Sequence, residues 1–425
     1  MQLWQHTLAG HQSVIAVIAD DLTGASDAGV QFARRGLTTR VLLNVRGPAL
    51  AAEVEVVVVD TDSRALPADV AYTRVREVAE RLRTLAPERV YKKVDSTLRG
   101  NLGAEIDAVM DALDFRLAIV APAFPGLGRT TRHGRHHLHG RPVHDTEIGR
   151  DPKTPVRESL IGSLLRQQSR RTPAVVSVDT VESGPRAIRD QVEAHAARGA
   201  SLMVCDAESD AALRAIVTSC ADRRDVLWVG SAGLADHLAD TLRSEARPPC
   251  SAATSAAGGP LVVVAGSASE ITRRQVQVVC ACRGVALVEL DPVALAEGDA
   301  ELERCRHELA TALAGGQDCA LVVASQPLRL TLAPRIVDVL GRLAADCARS
   351  HALRGLVLTG GDTARAVCRH LGVAGIQLIA EVEPGVPLGR LVGTNDTTLL
   401  AVTKAGAFGS ERTLVHALEQ LKGDG

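Results

Sequence analysis

Short unbroken runs of aliphatic, largely β-branched residues recur along the whole chain, and they restrict its fold more than any other feature. Ser13–Ala19, Arg40–Val45, Glu55–Val59, Arg89–Lys93, Leu117–Ala121, Ala174–Val178, Leu202–Cys205 and Val226–Val229 read as one series of strands. Leu261–Ala265, Ala286–Leu290, Ala320–Ala324, Leu356–Leu358, Ile376–Ala380 and Leu399–Thr403 read as a second. Continuous Val/Ile/Leu runs, unlike alternating ones, suit parallel strands covered on both faces. Helical periodicity fills the intervals. Leu102, Ile106, Val109, Met110 and Leu113 fall at i, i+4, i+7, i+8 and i+11 and make one apolar stripe.

A chain of 425 residues exceeds what one core usually supports. The composition changes at Arg243–Pro260, where two prolines are followed by Ser, Ala and Gly. The expected organisation is therefore residues 1–245, a linker over 246–260, and residues 261–425. The fold class is α/β: two α/β domains with mostly parallel sheets, facing each other across a cleft. Four Phe, two Trp and two Tyr leave few stacking platforms, and a net charge of −2 offers no polyanion-binding balance, so nucleic acid is not an expected partner. Nine scattered Cys without paired spacing suit reduced thiols in the cytoplasm. Met1–Gln12 has neither the basic start nor the apolar run of a signal peptide, and no membrane span is expected.

Three strands of the second series end on glycine turns. Leu356-Val-Leu-Thr-Gly-Gly-Asp-Thr363 runs straight into a helical pattern, and glycines there let a ligand approach the backbone. The N–H groups and dipole at such a helix start suit a phosphate. Val262-Val-Val-Ala-Gly-Ser267 ends on Gly266-Ser267, with Ser267 and Glu270 at capping-box spacing. Val402-Thr-Lys-Ala-Gly406 ends on Gly406, beside Lys404, which reads as a solvated charge or a phosphate partner. Glu381-Val-Glu-Pro-Gly-Val-Pro387 reads as a rigid loop. Walker and Gly-x-Gly-x-x-Gly patterns are absent from the sequence, which disfavours P-loop NTPases and Rossmann dehydrogenases.

The first series carries its chemistry in side chains. Asp20 and Asp21 close the first strand; one suits a helix cap, the other a metal, a substrate hydroxyl or proton transfer. Arg64, in Val58-Val-Asp-Thr-Asp-Ser-Arg64, suits a substrate carboxylate or an ion pair with Asp60 or Asp62. Lys92, Lys93, Asp95, Ser96, Thr97 and Arg99 crowd one strand–helix junction, with Lys93 and Asp95 expected on one face. The tract Arg132–His144 holds five His without ligand spacing and reads as a mobile, positively charged loop.

As an ordered set these stretches resemble the four-carbon acid sugar kinase family. The matching segments are Ile18-Ala-Asp-Asp-Leu-Thr-Gly24, Asp62-Ser-Arg64, Tyr91–Asn101, Gly128-Arg-Thr-Thr131, Asp151-Pro-Lys153, Gly266-Ser267, Thr359–Ala364, Glu383–Pro387 and Lys404–Gly409. The resemblance implies a sugar-acid-binding domain followed by a nucleotide-binding domain, with ATP and Mg2+ as cofactors and a homodimer left open. It implies that Asp21, Arg64, Lys92, Lys93, Val94 and Asp95 surround the sugar acid; Asp20 is expected beside them, and Asp21 or Asp95 is expected to accept the hydroxyl proton. It also implies that Ser267, Gly360, Gly361, Asp362, Thr363 and Gly406 hold ATP; many relatives carry Glu where this chain has Asp362. The activity expected is transfer to the terminal hydroxyl of D-threonate, with D-erythronate and 3-oxo-tetronate as alternatives, and the two-lobe layout predicts closure of the domains over the reactants. From other classes, Val59-Asp-Thr-Asp-Ser-Arg64 has the outline of a metal-dependent phosphohydrolase loop, and a sugar-acid sensor would bind without turnover.

Overall fold

Strand register decides where the polar residues collect. A computed structural model describes residues 14–43, 54–242, 258–267, 269–324, 330–393 and 399–423. Met1–Gln12 and most of the Arg243–Pro260 segment lie outside the described residues. By its internal contacts the chain divides into two units, Met1–Pro249 and Cys250–Gly425.

In the first unit the strands are β1 (Ile15–Ala19), β2 (Thr39–Leu42), β3 (Val56–Asp60), β4 (Arg89–Lys93), β5 (Leu117–Ala121), β6 (Arg129–Arg132), β7 (Arg135–Leu138), β8 (Arg141–Pro142), β9 (Pro173–Val176), β10 (Leu202–Cys205) and β11 (Val226–Gly230). Eight of them form a parallel sheet in the order β2-β3-β1-β4-β11-β5-β10-β9. Helix Leu22–Ala33 packs with Ala232–Asp240, and helix Ala68–Arg83 with Leu102–Leu113. β1, β3 and β5 are buried along their whole lengths, as their apolar runs require, and β4 (Arg-Val-Tyr-Lys-Lys) is buried throughout although it carries three cations. Each fully buried Val or Ile contributes about 1.5–3 kcal/mol from apolar burial. Because β1 has β3 on one side and β4 on the other, Ala19 stands level with both Asp60 and Lys93. This is the switch-point position at which α/β sheets bind ligands. The residues just beyond emerge together at one sheet edge.

The second unit contains β12 (Leu261–Ala265), β13 (Ala286–Leu290), β14 (Cys319–Val323), β15 (Gly355–Thr359), β16 (Val373–Glu383), β17 (Val386–Gly393) and β18 (Leu400–Lys404). Their order is β13-β14-β12-β15-β18-β17-β16, parallel from β13 to β18 and antiparallel beyond. Helices Glu270–Arg283 and Thr413–Lys422 pack together, as do Ala333–Ser350 and Gly361–Leu371. Ala265, Thr359 and Lys404 are level in the register, so the three glycine turns leave the sheet side by side.

Three expectations need correction. Glu381–Pro387 is not a loop: β16 runs through Glu383, turns at Pro384-Gly385 with Gly385 at φ +79°, and returns as β17. Its prolines and glycine mark a hairpin, and the alternation of β17 is too irregular in sequence to announce a strand. The histidine tract is likewise not a mobile loop, because β6, β7 and β8 form a separate three-stranded antiparallel sheet. Its first turn, His133-Gly134, has φ +50° and +71°, the geometry of a two-residue hairpin. Asp206 fixes that turn by accepting hydrogen bonds from the backbone N–H groups of His133 (2.7 Å) and Gly134 (2.8 Å). Finally, Ser267 and Glu270 do not form a capping box. The helix starts after Ser269 with no side-chain cap, the Ser267 hydroxyl accepts from the Ser269 N–H, and Glu270 pairs with Arg274 at 2.7 Å.

Candidate active site

In the first unit, the turns after β1, β3 and β4 bring together Asp20, Asp21, Arg64, Lys92, Lys93, Val94 and Asp95. Asp21 caps helix Leu22–Ala33: Oδ1 accepts from the Gly24 N–H (3.0 Å) and Oδ2 from the Thr23 hydroxyl (2.6 Å). A methyl group at Gly24 would strike the Asp21 carboxylate and press on Lys93 Nζ, so that glycine keeps room between the two. Asp20 is 3% exposed and takes a two-pronged grip from Arg64, Nε at 2.6 Å and Nη2 at 3.0 Å. The same Nη2 reaches Asp21 Oδ1 at 2.6 Å. Arg64 therefore pairs with neither Asp60 nor Asp62, the partners its own loop suggested. Asp62 lies instead 4.0 Å from Arg74. Burial works to raise the Asp20 carboxyl, but Arg64, Lys92 and Lys93 outweigh it and hold it below its ordinary value.

The two lysines at the end of β4 differ. Lys92 Nζ is 0% exposed and has the Glu105 carboxylate at 2.8 Å, with the Lys93 carbonyl at 2.8 Å and the Ile18 carbonyl at 3.4 Å. Three acceptors for three N–H donors leave it saturated. Lys93, 3% exposed, donates to the Val94 carbonyl at 2.9 Å and forms no ion pair among the described residues. A buried ammonium without a carboxylate is costly unless an anion arrives. Val94 anchors this turn through its N–H, which donates to the Gly230 carbonyl at 2.9 Å.

Asp95 is the most heavily bonded acid. Its Oδ2 accepts from Thr97 N–H (3.2 Å), Arg99 Nε (2.9 Å) and the Thr97 hydroxyl, and Oδ1 from Arg99 Nη2 (3.0 Å). Burial opposes ionisation there, yet Arg99 and then Arg64 hold the carboxyl well below the usual carboxylate range. Glu105 and His136 were missed as parts of this cluster. Glu105 lies within the Leu102–Leu113 stripe, and an acid on an apolar helix face was the signal for it. His136 offered no local signal, since it reaches the cluster only through the small β-sheet.

In the second unit, Ser267, Gly360, Gly361, Asp362, Thr363 and Gly406 also assemble, and they do so almost without charge. Gly360 precedes helix Gly361–Leu371 at φ +101°, a conformation open to glycine, and its N–H donates to the Lys404 carbonyl at 2.9 Å. A methyl at Gly266 would strike the Thr363 hydroxyl, and one at Gly406 would strike Ser267, so the three turns are packed to backbone contact. Asp362 is exposed in the first turn of that helix. The Gly406 carbonyl accepts from the Thr272 hydroxyl at 2.8 Å and from Lys404 Nζ at 3.3 Å. Lys404 is not a solvated charge. It is 0% exposed, and burial, opposed by Glu383, brings its ammonium down to about 7. Level with it, the buried Thr359 hydroxyl has no hydrogen-bond partner among the described residues.

Comparison with known proteins agrees with both halves. A family model described as a sugar-binding N-terminal domain matches residues 15–238, and one described as a nucleotide-binding C-terminal domain matches residues 262–414. Over 423 residues the chain is 37% identical to D-threonate kinase of Salmonella typhimurium, an alignment covering 95% of this chain and 97% of that protein. It is 32% identical over 433 residues to D-erythronate kinase of Heliobacterium modesticaldum, covering 96% and 97% respectively. A crystal structure from Salmonella typhimurium LT2 shares the fold with a TM-score of 0.82 at 25% identity, covering 95% of this chain and 98% of that one. With both domain models matched in order and this identity sustained along the chain, the protein belongs to the four-carbon acid sugar kinase family and is a sugar-acid kinase, a phosphate-transferring enzyme.

Proposed function

We propose that the enzyme transfers the γ-phosphoryl group of ATP to the terminal hydroxyl of a four-carbon sugar acid, D-threonate in the first place, with D-erythronate and 3-oxo-tetronate as the alternatives. The observation that carries the reading is the meeting of three glycine turns at the start of helix Gly361–Leu371. Backbone N–H groups there, reinforced by the helix dipole, suit a polyphosphate. Ser267, Gly360, Gly361, Thr363 and Gly406 are the residues we assign to it.

In the first unit, Lys93 is the group we assign to the acid's carboxylate, because it alone of the four cations in the cluster lacks an anionic partner. Lys92 and Glu105 serve as the frame behind it. Arg64, gripping Asp20 and Asp21, sets the geometry and leaves its Nη1 for the substrate. Between the two candidate proton acceptors the surroundings favour Asp21. Asp95 is held by Arg99 and Thr97 too far toward its ionised, weakly basic form to take a proton from a hydroxyl. Catalysis on this reading is positioning and charge stabilisation.

Among the described residues no group of three or more His, Cys, Asp or Glu is arranged for a metal. Mg2+ is implied by the kinase chemistry, and Asp362, the acid at the cradle, would be the residue that helps hold it. When bound, the ion supplies neutralisation of the phosphate charge. Among the described residues no helix is long and apolar enough to cross a membrane. The eight cysteines there are free, and free thiols suit the reducing cytoplasm that we assign to the enzyme. A phosphohydrolase has less behind it, since Asp60 Oδ1 is turned back onto the Asp62 N–H at 2.9 Å.

The test is a panel of D-threonate, D-erythronate and 3-oxo-tetronate with ATP and Mg2+, read as ADP released. D-threonate should give the highest kcat/KM. Absence of acid-dependent ADP formation across the panel would overturn the proposal.

A further inference from the structure

We propose that His136, from the small β6–β7–β8 sheet, is a positioning residue that sets the sugar-acid-binding turn Lys93–Arg99. The inference rests on the substrate assignment above. His136 is 0% exposed and makes two hydrogen bonds, one from each ring nitrogen. Nε2 lies 2.8 Å from the Ser96 carbonyl, and Nδ1 lies 2.9 Å from the Thr131 hydroxyl. A carbonyl can only accept, so Nε2 carries the proton. Nδ1 is then the acceptor, and the Thr131 hydroxyl donates to it. Burial lowers the imidazole to about 4, more than the Ser96 carbonyl raises it, and so keeps this neutral tautomer through the physiological range.

Ser96 is the residue between Asp95 and Thr97. The turn it belongs to does not hold its shape by local preference alone. Leu98 sits at φ +66° and Gly100 at φ +95°, and a left-handed leucine is a conformation that its surroundings must impose. Inside the turn, Asp95 draws in Thr97 and Arg99. From outside, His136 grips the Ser96 carbonyl.

The grip is only as firm as its base, and the base is well fixed. Thr131 and Ala207 exchange two backbone hydrogen bonds at 2.9 Å, the His136 N–H donates to the Ser159 carbonyl at 2.8 Å, and Asp206 holds the His133-Gly134 turn. The histidine-rich tract thus becomes a buttress with one working histidine. His133, His137, His139 and His144 have no contact of this kind with the turn.

Three variants test it: His136→Leu, which removes both bonds; His136→Gln, whose amide N–H reaches the Nε2 position; and Thr131→Val, which keeps shape and removes the outer bond. With the best acid of the panel, His136→Leu should raise the KM for the acid by roughly tenfold to a hundredfold, the range expected for one buried hydrogen bond left unmade, with the KM for ATP unchanged. His136→Gln should recover most of that loss, and Thr131→Val should raise the acid KM a few-fold. An acid KM unchanged in His136→Leu overturns the proposal, as does a parallel rise in both KM values. Should His136→Leu fail to fold, an acid KM unchanged in Thr131→Val has the same force. If the wild-type enzyme uses none of the acids, the substrate assignment fails instead, a result that the panel separates from this one.

Discussion

At the sheet edge of the first unit, Asp20, Asp21, Asp95 and Glu105 stand against Arg64, Lys92, Lys93 and Arg99, all but Asp21, Arg64 and Arg99 nearly or fully withdrawn from solvent. At the corresponding edge of the second unit stand Gly266, Ser267, Gly360 and Gly406. The framework is the same in both: neighbouring parallel strands end level, and the next residues form the site. The chemistry differs because the proposed ligands differ. A sugar acid carries one carboxylate and several hydroxyls that must be told apart, which takes side chains at fixed positions. A triphosphate presents many equivalent oxygens, which backbone N–H groups serve well provided that no Cβ intervenes. The first edge should therefore be vulnerable to loss of a charge and the second to gain of a methyl group.

Lys93→Met breaks the comparison at its most exposed point. The substitution keeps the aliphatic stem and removes the one cation of the cluster that lacks an ion-pair partner. We expect kcat/KM for the sugar acid to fall on the order of a hundredfold to a thousandfold, the range for losing one partner of a buried charged contact. The dissociation constant for ADP, measured by calorimetry, should not move. A Lys93→Met enzyme with normal acid kinetics would show that Arg64 Nη1 carries the carboxylate unaided.

Gly406→Val applies the opposite perturbation to the opposite edge. The added side chain would collide with Ser267, so either the Ser267 turn or the Gly406 turn must shift. ADP affinity should drop by about tenfold to a hundredfold, the scale of 1–3 kcal/mol for overpacking a tight site. The acid should still protect the first unit against thermal unfolding as it does in the wild type. If acid affinity fell as far as ADP affinity, the two edges would not be separable and the contrast between them would fail.

How much of this was legible in the chain follows the same division. The parallel strands could be read because burial on both faces leaves an unbroken apolar run, and the glycine turns because only glycine suits φ values such as that of Gly360. Asp20, Asp21 and Arg64 could be named as chemistry but not matched to each other. Asp60 and Asp62 are nearer to Arg64 in sequence, and only the β1–β3 register reveals that Asp20 is nearer in space. The difference between Lys92 and Lys93 was out of reach for a similar reason, since Glu105 lies in a helix that periodicity assigns to the core. Ile376–Ala380 could be read as a strand, but its antiparallel return β17 and the buttress β6–β8 were missed, because strands rich in Gly, Pro, Arg and His carry little of the pattern that marks a strand.

Lys404 is the exception on the second edge, a cation placed under a site otherwise made of backbone, and its effect should be the smallest and the most informative. Burial brings it to about 7 from the ordinary lysine value of 10.5. Below pH 7 the folded protein therefore holds a buried charge, while between pH 7 and 10.5 the unfolded chain binds more protons than the folded one. Stability from this group must then rise with pH across that window. Lys404→Met removes the buried charge, so the ligand-free variant should melt a few degrees higher than wild type at pH 6.5, and the gap should close by about pH 10. The same variant should bind ADP several-fold more weakly while binding adenosine as before, because the ammonium acts on phosphate charge through the Gly406 turn. A variant that melts lower at pH 6.5 would mean that the hydrogen bond to the Gly406 carbonyl outweighs the penalty of burial. In that case Lys404 would support the turn mechanically, and the second edge would bind its ligand with backbone dipoles alone.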